Sequence, residues 1–102
     1  MKWEPITKVE LVTLIDSEIK KCTITKYVEV FNKYKVEPYQ VEIDRSGKIE
    51  NVFVVAENGN EVMFYEDVEE GFNISSINEN GIISEYSVNQ DECWVAAKKW
   101  NI

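Results

Sequence analysis

Val52-Phe53-Val54-Val55-Ala56-Glu57, then Asn58-Gly59, then Asn60-Glu61-Val62-Met63-Phe64-Tyr65 is the stretch whose reading decides the fold. Two β-rich runs separated by Asn-Gly predict a hairpin with a two-residue type I′ turn, since both central residues tolerate positive φ. That turn sets Glu57 opposite Asn60, Val55 opposite Val62 and Phe53 opposite Phe64. One face of the hairpin then carries Phe53, Val55, Val62 and Phe64, and the other carries Val52, Val54, Ala56, Met63 and Tyr65. Both faces are apolar, so the hairpin belongs at the centre of a sheet, with helices on one side. The other side needs a cover: loop, protomer or partner.

Outward from the hairpin, a strand from Tyr39 to Asp44 closes at the turn Arg45-Ser46-Gly47-Lys48. Further strands are expected at Phe72–Ile74 and Ile82–Tyr86, with Asn80-Gly81 as the turn between them. The reading is an antiparallel meander of about five strands. Thr7-Lys8-Val9-Glu10 has capping-box spacing, with Ile6 and Leu11 at the staple positions, and Leu11, Leu14, Ile15, Ile19 and Cys22 recur on one helical face. Between Thr23 and Lys35 the pattern Ile24, Val28, Phe31, Tyr34 suits a helix while Thr25, Tyr27 and Val30 favour extended chain; a second helix is expected, ended by Glu37-Pro38. A last helix is expected to start at Asn89 as cap, with Glu92 at its third position and Cys93, Trp94, Ala97 and Trp100 on its packing face. The fold class is α+β, a single domain over residues 1–102.

Composition supports a folded chain. Hydrophobic residues are 44% and aromatics 12% of 102 residues, enough apolar surface to offset chain entropy at a net charge of -8. The charge is segmental. From Glu37 to Glu92 there are fourteen acidic side chains against Arg45 and Lys48 alone, and the remaining residues are net positive. Such a field speeds encounter with a basic protein and opposes nucleic acid and anionic membranes, so neither is an expected partner. No apolar run nears the roughly 20 residues a bilayer-spanning helix needs, and the first residues do not open a signal peptide; a cytoplasmic location is expected.

The chain has no histidine, which removes the commonest general base and metal ligand. Cys22 and Cys93 are read as reduced, packed thiols. Gly47, Gly59, Gly71 and Gly81 read as turn glycines, and no phosphate-binding glycine loop is present. No enzyme activity, cofactor or metal is expected. Glu66-Asp67-Val68-Glu69-Glu70-Gly71 places four acids in one short segment, which reads either as a solvated connection or as a protein-binding patch; it lacks the alternating ligand pattern of a calcium loop. Tyr65 and Phe72 flank it as candidate aromatic anchors. Trp94 and Trp100 read as core, and Trp3 as a lid or an exposed anchor.

Phe53-Val54-Val55-Ala56-Glu57, the run Tyr65-Glu66-Asp67-Val68-Glu69-Glu70-Gly71-Phe72-Asn73 and the start Asn89-Gln90-Asp91-Glu92 together resemble the small bacterial immunity proteins of contact-dependent growth inhibition and related polymorphic toxin systems. The resemblance implies a cytoplasmic antitoxin that binds the C-terminal domain of a cognate toxin, a basic nuclease in many such systems, and blocks its active site. The expected contacts are Glu66, Asp67, Glu69 and Glu70, with Tyr65 and Phe72 as anchors and Glu57 and Glu61 as secondary contacts. Alternative readings are a nucleic-acid mimic that inhibits a DNA-processing enzyme, a small carboxylate-based enzyme, and an accessory subunit packing through the apolar hairpin face.

Overall fold

A computed structural model describes residues 6–67, 70–84 and 91–100. The element order is α1 (Lys8–Lys21), α2 (Thr25–Tyr34), β1 (Lys35–Arg45), β2 (Lys48–Asn58), β3 (Glu61–Glu66), β4 (Gly71–Ser76), β5 (Ile82–Ile83), α3 (Cys93–Ala97) and a 3₁₀ turn (Lys98–Trp100). The expected α+β domain is what forms.

Helix α1 begins as its sequence dictates. Thr7 Oγ1 accepts from Glu10 N–H, and Glu10 Oε1 accepts from Thr7 N–H, so both halves of the capping box are present. Leu11 and Ile15 are buried, with Ile6, Leu14 and Ile19 packed around them. Helix α2 also forms, but it stops at Tyr34, before Glu37-Pro38, and Lys35 already opens β1. The proline falls instead where the β1–β2 register shifts, between Lys35 and Tyr39, a place where a missing N–H costs the ladder little.

The described strands form one sheet in the order β4-β3-β2-β1-β5. Strands β1 to β4 make the expected antiparallel meander, but β5 pairs parallel to β1, with Glu42 opposite Ile82 and Ile43 opposite Ile83. A separate bridge joins Ile83 to Ile77, just beyond the end of β4. The sheet therefore curls until its two ends meet at β5. Asn78 makes that crossover possible: its Oδ1 accepts from the N–H groups of Asn80 and Ile82, while Gly81 takes φ +75°. Of the strand expected over Ile82–Tyr86, residues beyond position 84 lie outside the described part.

Curling answers what covers the second apolar face. Ile43, Val52, Val54, Val62, Phe64 and Ile83 form an interior enclosed by the sheet itself, with Val36, Val41 and Ile77 at its margin. The other interior lies between sheet and helices and contains Leu11, Phe31, Met63, Tyr65, Phe72, Cys93 and Trp100.

The hairpin register differs from expectation by one residue. Asn58 pairs with Glu61, Glu57 with Val62 and Ala56 with Met63, so the loop is Gly59-Asn60. Gly59 has φ +62° and Asn60 is not in the positive-φ region, which fits a II′ loop with glycine first rather than I′. Beyond Ala56 the register shifts, and Val54 pairs with Phe64, leaving Val55 as a bulge. The consequence is an exchange of faces. Val62 and Phe64 join Val52 and Val54 inside the curled sheet, while Met63 and Tyr65 join Val55 and Ala56 under the helices. The bulge allows Val55 and Ala56, adjacent in sequence, to enter the same cluster.

Helix α3 starts later than expected. Asp91 bridges Phe72 in the sheet, so the helix opens only at Cys93, with Glu92 as its cap residue; Asn89 lies outside the described residues. The N–H of Cys93 is taken by Glu18 Oε1 of α1 at 2.8 Å, a cap supplied from another helix. Cys22 and Cys93 are free thiols, and burial pushes the Cys93 thiol well above its ordinary value, with Glu18 adding to the shift.

Candidate partner-binding surface

Strand alternation decides which of the acidic side chains reach the surface. Val62, Phe64 and Glu66 point to one side of β3, so Glu66 enters the curled sheet and is fully buried. Burial of a carboxylate demands a partner. Arg45, at the end of β1, supplies it: Nη2 donates to both Glu66 oxygens at 2.7 Å, and Nε donates to Glu50 at 3.1 Å. Glu66 was expected as a surface contact; it is an internal counter-ion that closes one mouth of the sheet interior.

The expected aromatic anchors are also inside. Tyr65 and Phe72 are 6% and 1% exposed, with ring centroids 5.0 Å apart. Opposite each other on β3 and β4, they pack under the helices and offer no ring to a partner. Withdrawal from water, then the charges of Asp67, Glu70 and Glu18, push the Tyr65 hydroxyl up to about 12.

Asp67 stands at the boundary. Its Oδ2 accepts from Ile6 N–H at 2.7 Å, tying the segment ahead of α1 to the β3–β4 connection. Burial raises its pKa above the ordinary carboxylate value, more than the Ile6 N–H lowers it, and Glu66, Glu70 and Glu10 add repulsion. Glu70 is exposed and holds φ +56°, a left-handed conformation unusual for a side chain of this size. Glu69 lies outside the described residues, as does Trp3.

Glu57 and Glu61 are exposed, but at the other end of the sheet beside the Gly59-Asn60 loop. Tyr39 donates its hydroxyl to Glu57 Oε2, and Trp100 Nε1 donates to Glu61 Oε1 at 3.2 Å. From Glu61 to Asp67 β3 rises roughly 20 Å, so the expected contacts do not form one patch. They divide into a β3–β4 end, with Asp67 and Glu70, and a β2–β3 end, with Glu57 and Glu61.

Beside Asp67 run the middle parts of the long strands β1 and β2. Gln40, Glu42 and Asn51 are exposed on this ledge, and a notch of about 30 Å³ opens between Ile6, Gln40, Asn51, Phe53 and Asp67. That is the space of one water molecule. It fits an ammonium head and is far below the volume of a metabolite pocket.

No family model, curated protein or solved structure matches the chain. The surface therefore rests on its own chemistry, which is the distribution of charge. On the sheet and its loops exposed Glu37, Glu42, Glu57, Glu61, Glu70 and Glu79 outnumber exposed Lys35 and Lys48, whereas on the helices and their caps exposed Lys8, Lys20, Lys21, Lys26, Lys33, Lys98 and Lys99 outnumber exposed Glu10, Asp16, Glu29 and Glu92. Folding converts a segmental charge pattern into two layers of opposite net sign. The sequence offered signals for the residues it misplaced: Glu66 continues the alternation of Val62 and Phe64, and Arg45 is the sole arginine of the chain.

Proposed function

We propose that the protein is a binding inhibitor of immunity type, a cytoplasmic antitoxin whose acidic sheet layer occupies the basic surface of a cognate toxin domain. The observation that carries this reading is the layered charge. Carboxylates spread over the sheet layer present negative groups where a nucleic-acid-processing domain would receive phosphates, and they raise the encounter rate with such a domain. The resemblance in the β2, β3–β4 and residue 89–92 stretches supports the immunity assignment over inhibition of a resident enzyme. The β3–β4 end, with Asp67, Glu70 and the adjoining ledge, is the primary contact, and the notch there receives the ammonium of a partner lysine. Glu57 and Glu61 form a secondary contact.

The test is co-expression with each neighbouring open reading frame, followed by affinity capture at low and moderate salt. The reading predicts a stoichiometric basic partner that is toxic alone and harmless together with this protein. Capture of a resident DNA-processing enzyme, with no toxic neighbour, would replace it with the nucleic-acid-mimic reading.

A further inference from the structure

Tyr65 withholds its ring from a partner but not its hydroxyl. The residue is 6% exposed, and among the described residues no buried polar side-chain atom lacks a hydrogen-bond partner. The Tyr65 hydroxyl bonds to no described residue, so the part of this side chain left open is its oxygen, at the wall of the notch beside Asp67. With its pKa pushed up to about 12, the phenol stays neutral and keeps a lone pair to offer.

The other polar groups of the notch are acceptors with capacity to spare. Asp67 Oδ2 takes Ile6 N–H at 2.7 Å, and Oδ1 takes nothing from the described residues. Gln40 and Asn51, exposed on β1 and β2, make no side-chain hydrogen bond among them either. Phe53, half-buried and opposite Gln40 in the ladder, supplies an apolar wall. Side-chain oxygens of Gln40, Asn51, Tyr65 and Asp67 thus border a space of about 30 Å³.

Charge and size select the occupant. Glu66, Glu70 and Glu10 repel the Asp67 carboxylate, and no basic side chain lines the notch. A compact cation relieves that repulsion, whereas water does not. An ammonium group fills about the space of one water molecule and points three N–H donors away from its stem. A guanidinium spreads the same charge over a rigid plane of three nitrogens, too broad for such a space. The long-range field of the acidic layer draws both groups equally. The notch does not.

We infer that the notch is a lysine socket that discriminates against arginine. Asp67 Oδ1, the Tyr65 hydroxyl and the side-chain carbonyls of Gln40 and Asn51 accept the ammonium protons, and the methylene stem lies along Phe53. The inference rests on the acidic layer being the contact for a basic partner, and it names the side chain that the partner inserts. Tyr65 and Asp67 determine the specificity.

The experiment needs no captured partner. Acetylated, amidated peptides identical except for a central lysine, arginine or norleucine are titrated into the isotope-labelled full chain up to about 10 mM, beyond the weak end of specific association. Backbone amide shifts report where and how tightly each binds. The lysine peptide is expected to move Ile6, Gln40, Asn51, Phe53 and Asp67, and to bind roughly threefold or more tighter than the arginine peptide of equal charge. Tyr65→Phe keeps the buried ring and removes only the oxygen; Asp67→Asn keeps an acceptor for Ile6 N–H and removes the charge. Each should erase the preference for lysine. Equal affinities for the lysine and arginine peptides overturn the inference. So do shifts confined to other parts of the sheet, no shifts at all, or a Tyr65→Phe protein that prefers lysine as the parent does. Each of those results leaves standing a basic partner drawn in by the field of the sheet layer. A lysine preference that depends on Tyr65, with no toxic neighbour captured, supports the socket and removes the antitoxin reading.

Discussion

Both carboxylate oxygens of Glu66 lie 2.7 Å from Nη2 of Arg45, in an enclosed site where the glutamate is out of contact with water. A buried pair of this kind is costly to break from one side, because the remaining charge keeps its desolvation cost and loses its answer. Glu66→Ala is expected to lower stability by about 3 kcal/mol, the low end of the range for such breaks, since Glu50 still meets the guanidinium. Urea unfolding of the two proteins measures it. A loss under about 0.5 kcal/mol, the size of an ordinary surface substitution, would show that the pair contributes no more than an exposed one.

Phe64 tests the enclosure itself. Its ring is fully buried in the curled sheet, and Phe64→Ala leaves a cavity that the strands around it cannot close. The expected loss is about 3–5 kcal/mol, read from the midpoint of denaturant unfolding. Ile49, 48% exposed on the neighbouring strand, is the control: Ile49→Ala should change stability by less than about 1 kcal/mol.

Much of this architecture was legible before folding was considered. The capping box at Thr7 and Glu10, the turn at Ser46-Gly47 and the strand–turn–strand at Asn58-Gly59 are local signals, and each marks a real feature. Register was not legible. Val52–Ala56 and Val62–Tyr65 are apolar on both faces, so within them no polar residue marks an outer face and a slip of one position costs little in the pattern. The bulge at Val55 and the parallel seat of β5 are set by tertiary pairing. The acidic run misled for a related reason. Four acids in five residues look like one exposed loop, but β3 extends through Glu66, and the partner that makes its burial tolerable is 21 positions away in sequence.

Glu70 separates stability from binding. A non-glycine residue in the left-handed region costs about 1–2 kcal/mol, and glycine's extra unfolded-state freedom takes back about 0.5–1. Glu70→Gly should therefore stabilise the protein by about 0.5–1 kcal/mol while removing an exposed charge from the β3–β4 end. With the basic partner proposed above, it should slow association at low salt by roughly twofold or more, with little change at high salt. Stopped-flow mixing across a salt series checks this. Glu57→Ala with Glu61→Ala, at the far end of the sheet, should have the smaller effect; the reverse order would move the primary contact to the Gly59-Asn60 end.

Asp67 and Glu18 predict a pH response of unusual sign. Burial raises the pKa of each above the ordinary carboxylate value, outweighing the N–H groups of Ile6 and Cys93 that they accept from. A folded pKa above the unfolded one means that the native state binds more protons in the interval between them, so stability falls as pH rises through that interval. Above the folded values the two carboxylates oppose folding in full, and acidification toward the ordinary range of about 4 relieves them. Glu10 and Glu37 act in the opposite sense, their pKa values lowered by Thr7 and by Lys8. Asp67→Asn keeps an acceptor for Ile6 N–H and removes the charge. Its melting temperature should equal or exceed that of the parent at pH 7, with a smaller difference at pH 5. A lower melting temperature at pH 7 would mean that the charge itself anchors the strap ahead of α1.

The seat of Ile83 between Ile43 and Ile77 also sets the order in which this molecule can be made. The meander from β1 to β4 is built from neighbours in the chain and can assemble as soon as they leave the ribosome. The room holding Phe64 has no final wall until position 83 has emerged and crossed back to β1. From Ser76, the end of β4, to Ile83 is seven residues, so synthesis at about 5–20 residues per second leaves the apolar face of the sheet open for roughly 0.4–1.4 s. A chain interrupted before Ile82 would keep that face open and be exposed to proteolysis instead of forming a smaller version of the same fold.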